Sequence, residues 1–205
     1  NQFSRASIDK YTTLIMVSGS YNQLGKDEIK KIKKWVEKGN TLITIARGSS
    51  WAINNNLIDE NLVESKDDST HSRKNYVDAS GFIGRERIGG VILRTDIDLT
   101  HPIAFGYNDA SIPVYKNNNV FINRTKDDYS SVAIYSEDFH IDGYISELNR
   151  EQFIPGAASL IISKLGSGRV VVFADNPNFR GTWYGTNKLF LNAIFLGDNI
   201  SVPTD

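Results

Sequence analysis

Two runs of consecutive apolar residues, with one amphipathic helix between them, constrain this chain more than any other feature. Tyr11-Thr12-Thr13-Leu14-Ile15-Met16-Val17 is β-branched and apolar, and Ser18-Gly19-Ser20 closes it. That reads as a buried strand entering a tight turn. Thr41-Leu42-Ile43-Thr44-Ile45-Ala46 has the same character. From Asp27 to Lys38, Ile29, Ile32, Trp35 and Val36 fall at i, i+3, i+6 and i+7, and five lysines cover the rest. This is a helix with one apolar stripe, with Asp27 and Glu28 in its first turn and Gly39 as its stop. Strand, helix and strand with short links predict a parallel βαβ unit covered on both faces. The two strands are expected to pair directly, because sequential strands are neighbours roughly two-thirds of the time. The other arrangement puts a further segment between them.

The remainder predicts an α/β layered sheet, mostly parallel, with an antiparallel elaboration in the middle, over residues 65–135 of a single domain spanning 1–205. Trp51 to Leu62 reads as a weaker helix, and Glu64 to Asn75, charged and Ser-rich, as a solvated loop. Short strands follow at Val91–Arg94, Val114-Tyr115, Val120–Ile122 and Val132–Tyr135, with Asn117-Asn118-Asn119 as a turn. Ala157 to Lys164 reads as a strand hairpinned through Gly166-Ser167-Gly168 to Arg169–Ala174, with a helix over Ala157 to Leu165 as the alternative. Thr186 to Leu196 is the last helix, with Thr186 as its N-cap and Gly197 as its stop.

Composition removes several chemistries. With no cysteine among 205 residues there is no thiol nucleophile, disulfide or Cys-based metal site. A formal net charge of −1 argues against a generic nucleic-acid surface. No apolar stretch is long enough to span a membrane. The first ten residues read as polar, without the apolar core expected of a leader, and the chain begins without Met. The expectation is a mature product or a piece of something larger.

The three histidines, His71, His101 and His140, have no second ligand at helical spacing, so no metal site is expected from this chain. Ala46-Arg47-Gly48-Ser49-Ser50 turns at the carboxyl end of a buried strand, where open α/β sheets place their active sites. A nucleophile elbow needs Ser or Cys at the crest. The crest here falls near Ala46 or Arg47, and Ser49 and Ser50 come too late and serve as N-caps. The elbow Ala46, Arg47, Gly48, Ser49 is therefore degenerate. The densest polar and aromatic stretch is the loop from Asp175 to Tyr184, with Asp175, Asn176, Asn178, Arg180, Trp183 and Tyr184. One reading is a binding loop for a sugar, a carboxylate or a protein. The other is a self-satisfied loop in which Asp175 caps and pairs with Arg180. Pro177, Gly181 and the aromatic residues predict a loop at least half buried, with Arg180 making two or more hydrogen bonds.

Several stretches resemble the C-terminal part of Bacteroidetes-type zinc carboxypeptidase-like proteins. They are Gly168–Gly181 continuing through Leu189–Ala193, Trp35–Ile43, His101–Tyr107 and Gly143–Ser146. In such proteins a metallocarboxypeptidase domain precedes a domain similar to class I glutamine amidotransferases. The resemblance implies a flavodoxin-like, amidotransferase-like fold, zinc held by the upstream catalytic domain, and a secreted or periplasmic bacterial protein. Class I amidotransferases carry Cys at the elbow and a late His and Glu. The Cys position falls on Ala46, and the late region on Asp175-Asn176-Pro177, which holds no His. The carboxypeptidase zinc motif needs Glu three residues after a His. Here those positions are Lys74, Ala104 and Gly143.

The expected function is thus a non-catalytic accessory domain that docks on the upstream carboxypeptidase domain or on a partner such as a peptide or carbohydrate. It is expected to show no peptidase or glutaminase activity and to hold no cofactor of its own. The alternatives are a carbohydrate- or small-ligand-binding module, or a hydrolase or transferase using a crevice at the strand carboxyl ends.

Overall fold

A computed structural model describes residues 2–64, 75–85, 87–127 and 129–201. The expected solvated loop after Glu64, and His71 within it, lie outside the described residues.

The βαβ unit is present and its strands pair directly. β1 (Thr13–Met16) runs parallel to β2 (Thr41–Ile45), with Thr13 opposite Thr41 and Met16 opposite Thr44. Helix α2 (Lys26–Glu37) connects them and buries Ile32, Trp35 and Val36. Its start is fixed by Glu28, whose Oε2 accepts from the Gly25 N–H at 2.9 Å. That carboxylate reaches back over a free helix-end donor. All five residues of β2 are buried. Leu42 packs on the α2 side of the sheet and Ile43 and Ile45 on the other. This explains why the strand reads as a continuous apolar run.

With β3 (Val91–Ile97), β4 (Ser111–Lys116), β5 (Ser131–Gly143), β6 (Ala158–Leu165) and β7 (Gly168–Phe173), seven strands form one mixed sheet in the order β1-β2-β7-β6-β5-β3-β4. β7 lies parallel beside β2. β6 then pairs antiparallel with β7. β5, β3 and β4 follow, each antiparallel to the last. Five strands point one way, and only β6 and β3 run against them. The antiparallel pairing extends past residue 135, through β6 to β7.

Ala158–Leu165 is the hairpin strand and not the helix. Ile161 and Ile162 are β-branched, and Gly166 takes φ 63° in the two-residue turn. A Cβ at Gly168 would stand 1.9 Å from the Val36 carbonyl oxygen, so the hairpin can press against the end of α2 only with glycine there. Helix α5 (Tyr184–Phe195) covers the face opposite α2, burying Leu189 and Ala193 against Ile43, Val171 and Phe173. Short helix α1 (Gln2–Arg5) packs on α2, whose Lys31 Nζ donates to the Phe3 and Ser4 carbonyls at 3.2 Å, and short helix α4 (Ala79–Arg85) precedes β3.

Four local expectations are corrected. Helix α3 (Arg47–Asn54) starts at the turn itself, four residues before Trp51, and stops where Asn56 takes φ 54°. Ser49 and Ser50 therefore sit inside the helix and are not its caps. Thr186 also lies inside its helix; its hydroxyl donates to the Pro177 carbonyl at 2.8 Å. Val120–Ile122 forms only single bridges, from Ile122 to Leu62 and to Ala158. β5 is far longer than Val132–Tyr135, because beyond Tyr135 it continues as a half-exposed strand with Phe139 turned inward.

Candidate functional site

The turn from β2 into α3 has the geometry of a nucleophile elbow. Ala46 takes φ 51° and ψ −112°, a backbone conformation that side chains other than glycine rarely adopt. The sheet holds it there: the Ala46 N–H donates to the Phe173 carbonyl at 2.8 Å. The Ala46 carbonyl accepts from Ser49 N at 2.9 Å and Ser50 N at 3.1 Å, opening the helix at once. Gly48 is required by contact, since a Cβ there would stand 2.5 Å from the Met16 carbonyl oxygen. Ser49 is fully buried, donates to the Phe173 carbonyl at 2.8 Å and lies 3.0 Å from the Thr44 hydroxyl. Its hydroxyl is bound to the sheet and is not presented to a substrate. The position a nucleophile would take is Ala46, with a methyl group.

Asp175 follows β7 and is buried, but its partner is Lys116 and not Arg180. Lys116 Nζ lies 3.1 Å from Asp175 Oδ1, while Oδ2 accepts from the Tyr135 hydroxyl at 2.7 Å and from Ser159 at 2.9 Å. The fully buried ammonium also donates to the Val120 carbonyl at 2.6 Å and stands 4.4 Å from the centre of the Phe121 ring. Burial pushes the Lys116 pKa down, and Asp175 partly offsets this. Burial, then the Asp175 charge, pushes the Tyr135 hydroxyl well up. Sequence reading misses Lys116, although the signal is present. In β4, Ile112, Val114 and Lys116 alternate onto one buried face, and the third of them is charged.

Arg180 is exposed and takes φ 52°. Among the described residues no hydrogen bond to its guanidinium is present; its Cζ lies 5.2 Å from the Phe179 ring centre. The expected two or more hydrogen bonds are therefore corrected: Lys116 has taken the one carboxylate within the loop. The loop is anchored by aromatic contact on β4. Phe179 and Tyr115 have ring centres 4.0 Å apart, and Trp183 Nε1 donates to the Pro113 carbonyl at 3.2 Å. Asn176 Oδ1 accepts from Asn178 N at 3.0 Å. Of residues 175–184, six are buried or half-buried, and Arg180, Gly181, Thr182 and Tyr184 are exposed.

The elbow and the loop meet in one cleft of about 650 Å³ at the carboxyl ends of β1, β2, β4 and β7. Its walls include Ala46 and Arg47 from the elbow, Asn117 to Val120 after β4, and Asn176, Phe179 and Arg180 after β7. Asp175, Asn178, Trp183 and Tyr184 from the predicted set, and Gly48 and Ser49, are not among the lining residues. The described histidines are elsewhere. His101 Nδ1 accepts from Ile103 N at 3.1 Å as a helix cap, and its pKa is lowered by burial. His140 Nε2 lies 2.8 Å from the Gly143 carbonyl. Among the described residues no group of three or more His, Asp or Glu side chains could hold a metal ion. None of the described helices is long and apolar enough to cross a membrane.

Comparison with protein-family models and with curated proteins gives no match. Solved structures do match. A ThuA-like protein of Parabacteroides merdae superposes with TM-score 0.57 at 10% identity, over 97% of this chain and 75% of that one. PurLQS of Thermotoga maritima gives 0.54 at 16% identity, over 91% and 80%. A protein of Thermoplasma acidophilum described as a GMP synthase component gives 0.50 at 16% identity, over 96% and 77%. With an elbow between β2 and α3 and a mixed sheet layered between helices, the chain has the glutamine amidotransferase-like and ThuA-like fold.

Proposed function

We propose that this chain is a non-catalytic accessory domain of a zinc metallocarboxypeptidase-like protein, secreted or periplasmic, that binds rather than transforms its ligand and docks on the catalytic domain. One observation carries the first half of the reading. The elbow keeps its strained φ, its obligatory glycine and its helix start, yet presents the methyl of Ala46. A covalent mechanism on this fold needs a nucleophile at that crest with a base in reach. Neither described histidine lines the cleft, and Ser49 is bound to the sheet.

Docking is supported by the outer face of α5. Tyr184, Lys188, Leu191 and Phe195 recur at i, i+4, i+7 and i+11 and are all exposed. Exposed Phe105 extends the stripe, its carbonyl taking a hydrogen bond from Asn192 at 2.9 Å. Four large apolar side chains on one face are more than scattered surface residues require. Zinc belongs, on this reading, to the partner domain.

The test has two arms. The purified chain is assayed for glutamine, amide and C-terminal peptide hydrolysis, where no turnover above the buffer rate is expected. Turnover that disappears in Ser49→Ala would overturn the non-catalytic reading. The chain is then mixed with the catalytic domain of its parent protein, and Leu191→Lys/Phe195→Lys is expected to weaken a complex that forms with the wild type. No complex with the wild type would overturn the docking reading.

A further inference from the structure

The cleft is rich in hydrogen-bond donors and contains no carboxylate. Its lining residues are Ser18, Ala46, Arg47, Asn117, Asn118, Asn119, Val120, Asn176, Phe179 and Arg180, so the formal charge on its walls is positive from both arginines. No ion pair among the described residues engages either guanidinium. The nearby carboxylate, Asp175, is already neutralised by Lys116 and takes hydrogen bonds from Tyr135 and Ser159. Asn118 adds an unmet donor. Its Oδ1 accepts from the Val120 N–H at 2.8 Å, which fixes which end of the amide is oxygen. Its Nδ2 is buried without a partner. Arg47 and Gly48 occupy the first positions of α3, where backbone N–H groups have no partner within the helix. Two of the three non-glycine residues with positive φ among the described residues, Ala46 and Arg180, lie on opposite lips of this cleft.

We infer that the cleft binds a small hydroxylated organic anion, its carboxylate or phosphate held by Arg47 and Arg180 and its hydroxyl groups by Asn118 and Asn176. A donor-rich wall with two unpaired guanidiniums calls for an acceptor-rich ligand. Planar guanidinium groups match the two oxygens of a carboxylate or phosphate. Phe179, packed on Tyr115 beneath Arg180, supplies an apolar floor for the ring or chain that carries the anion. The cleft's volume falls within the range of small-molecule sites. The inference rests on the reading of this cleft as a binding site without a nucleophile.

The test is a titration of the ¹⁵N-labelled chain with glucuronate, with glucose 6-phosphate and with glucose, followed by the backbone amide signals of Arg47, Gly48, Asn118 and Arg180. Saturable shifts at these residues from one or both anions, weakened by added salt, are expected. A response to glucuronate alone assigns a carboxylate, and one to glucose 6-phosphate alone a phosphate. Arg180→Gln is expected to weaken binding about tenfold or more. Arg47→Gln/Arg180→Gln is expected to abolish it, with signals elsewhere unchanged, which shows the variant folded. No saturable shift from either anion, or an equal response to glucose, overturns the inference. Chemical conversion of a ligand during the titration would instead overturn the non-catalytic reading and leave the anion preference standing.

Discussion

The parallel edge of the sheet and its antiparallel remainder meet at the same cleft but are held together differently. β1, β2 and β7 form an apolar slab: β2 and β7 are buried along their whole length, and helices cover both sides. Among its buried polar side chains, three bond to backbone: Thr44 donates to the Val171 carbonyl, Ser49 at the start of α3 donates to the Phe173 carbonyl, and Arg169, at the end of β7 away from the cleft, donates to the Gly197 carbonyl. The β4 side carries a buried ion pair at the cleft itself. Lys116 and Asp175 join the end of β4 to the end of β7, and the Lys116 ammonium fixes the Val120 carbonyl beyond the Asn117–Asn119 loop. One lip of the cleft is therefore set by steric fit at Gly48 and the other by a buried ion pair. A lip set by fit fails when an atom is added. A lip set by charge fails when one is removed.

The largest expected effect follows from that charge. Lys116→Met leaves Asp175 buried without its cation and is expected to cost about 3–5 kcal/mol in urea unfolding, the range for breaking a buried pair. Adding Asp175→Asn should recover part of that loss, because the amide oxygen still accepts from Tyr135 and Ser159 while the unpaired charge is gone. If Lys116→Met alone is neutral, the β4 lip is not held by charge. Gly48→Ala tests the other lip. The new methyl meets the Met16 carbonyl oxygen, and a loss of about 1–3 kcal/mol is expected in the same assay. A neutral result would mean that the elbow can open.

The smallest effect sharpens the comparison from outside the site. The Glu60 carboxyl is pushed up to about 7, mainly by burial and then by Asp59 and Asp127. The folded chain keeps this proton where the unfolded chain has lost it, so its stabilising contribution is full below about pH 4.5 and fades as pH rises to about 7. Glu60→Gln should flatten that part of the stability profile without moving the Lys116→Met penalty. A profile unchanged by Glu60→Gln would contradict the assignment.

The slab is readable from sequence because its chemistry is repetitive. Continuous β-branched runs at Thr41–Ile45 and Val170–Phe173 have no reading except buried strands, and the α2 stripe is unambiguous. The elbow is legible to within one residue: strand, turn and small residues place the crest near Ala46 or Arg47, and the positive φ that singles out Ala46 is visible only in the structure. The start of α3 reads four residues late, because Ser49 and Ser50 are good caps in isolation and the bond from Ser49 to the Phe173 carbonyl is a long-range contact. The charged lip is illegible for the same reason. Asp175 has Arg180 five residues away in the chain, but its partner is 59 residues away. Arg180 is thereby left free, and the positive character of the cleft is visible only when both lips are in place.

Ala46 stands at the crest of an elbow and offers no nucleophile there. The most direct measurement compares alkylation by iodoacetamide of two variants, Ala46→Cys and Ser49→Cys, across pH. The thiol introduced at position 46 borders the cleft at the N-terminus of α3 beside Arg47, a setting that lowers a thiol pKa. It should react rapidly, with a pKa below about 8.5, the value of a free cysteine. The thiol introduced at position 49, buried against the Phe173 carbonyl, should react only as the chain unfolds. Faster modification at position 49 than at position 46 would contradict the account and put a potential nucleophile back in the cleft.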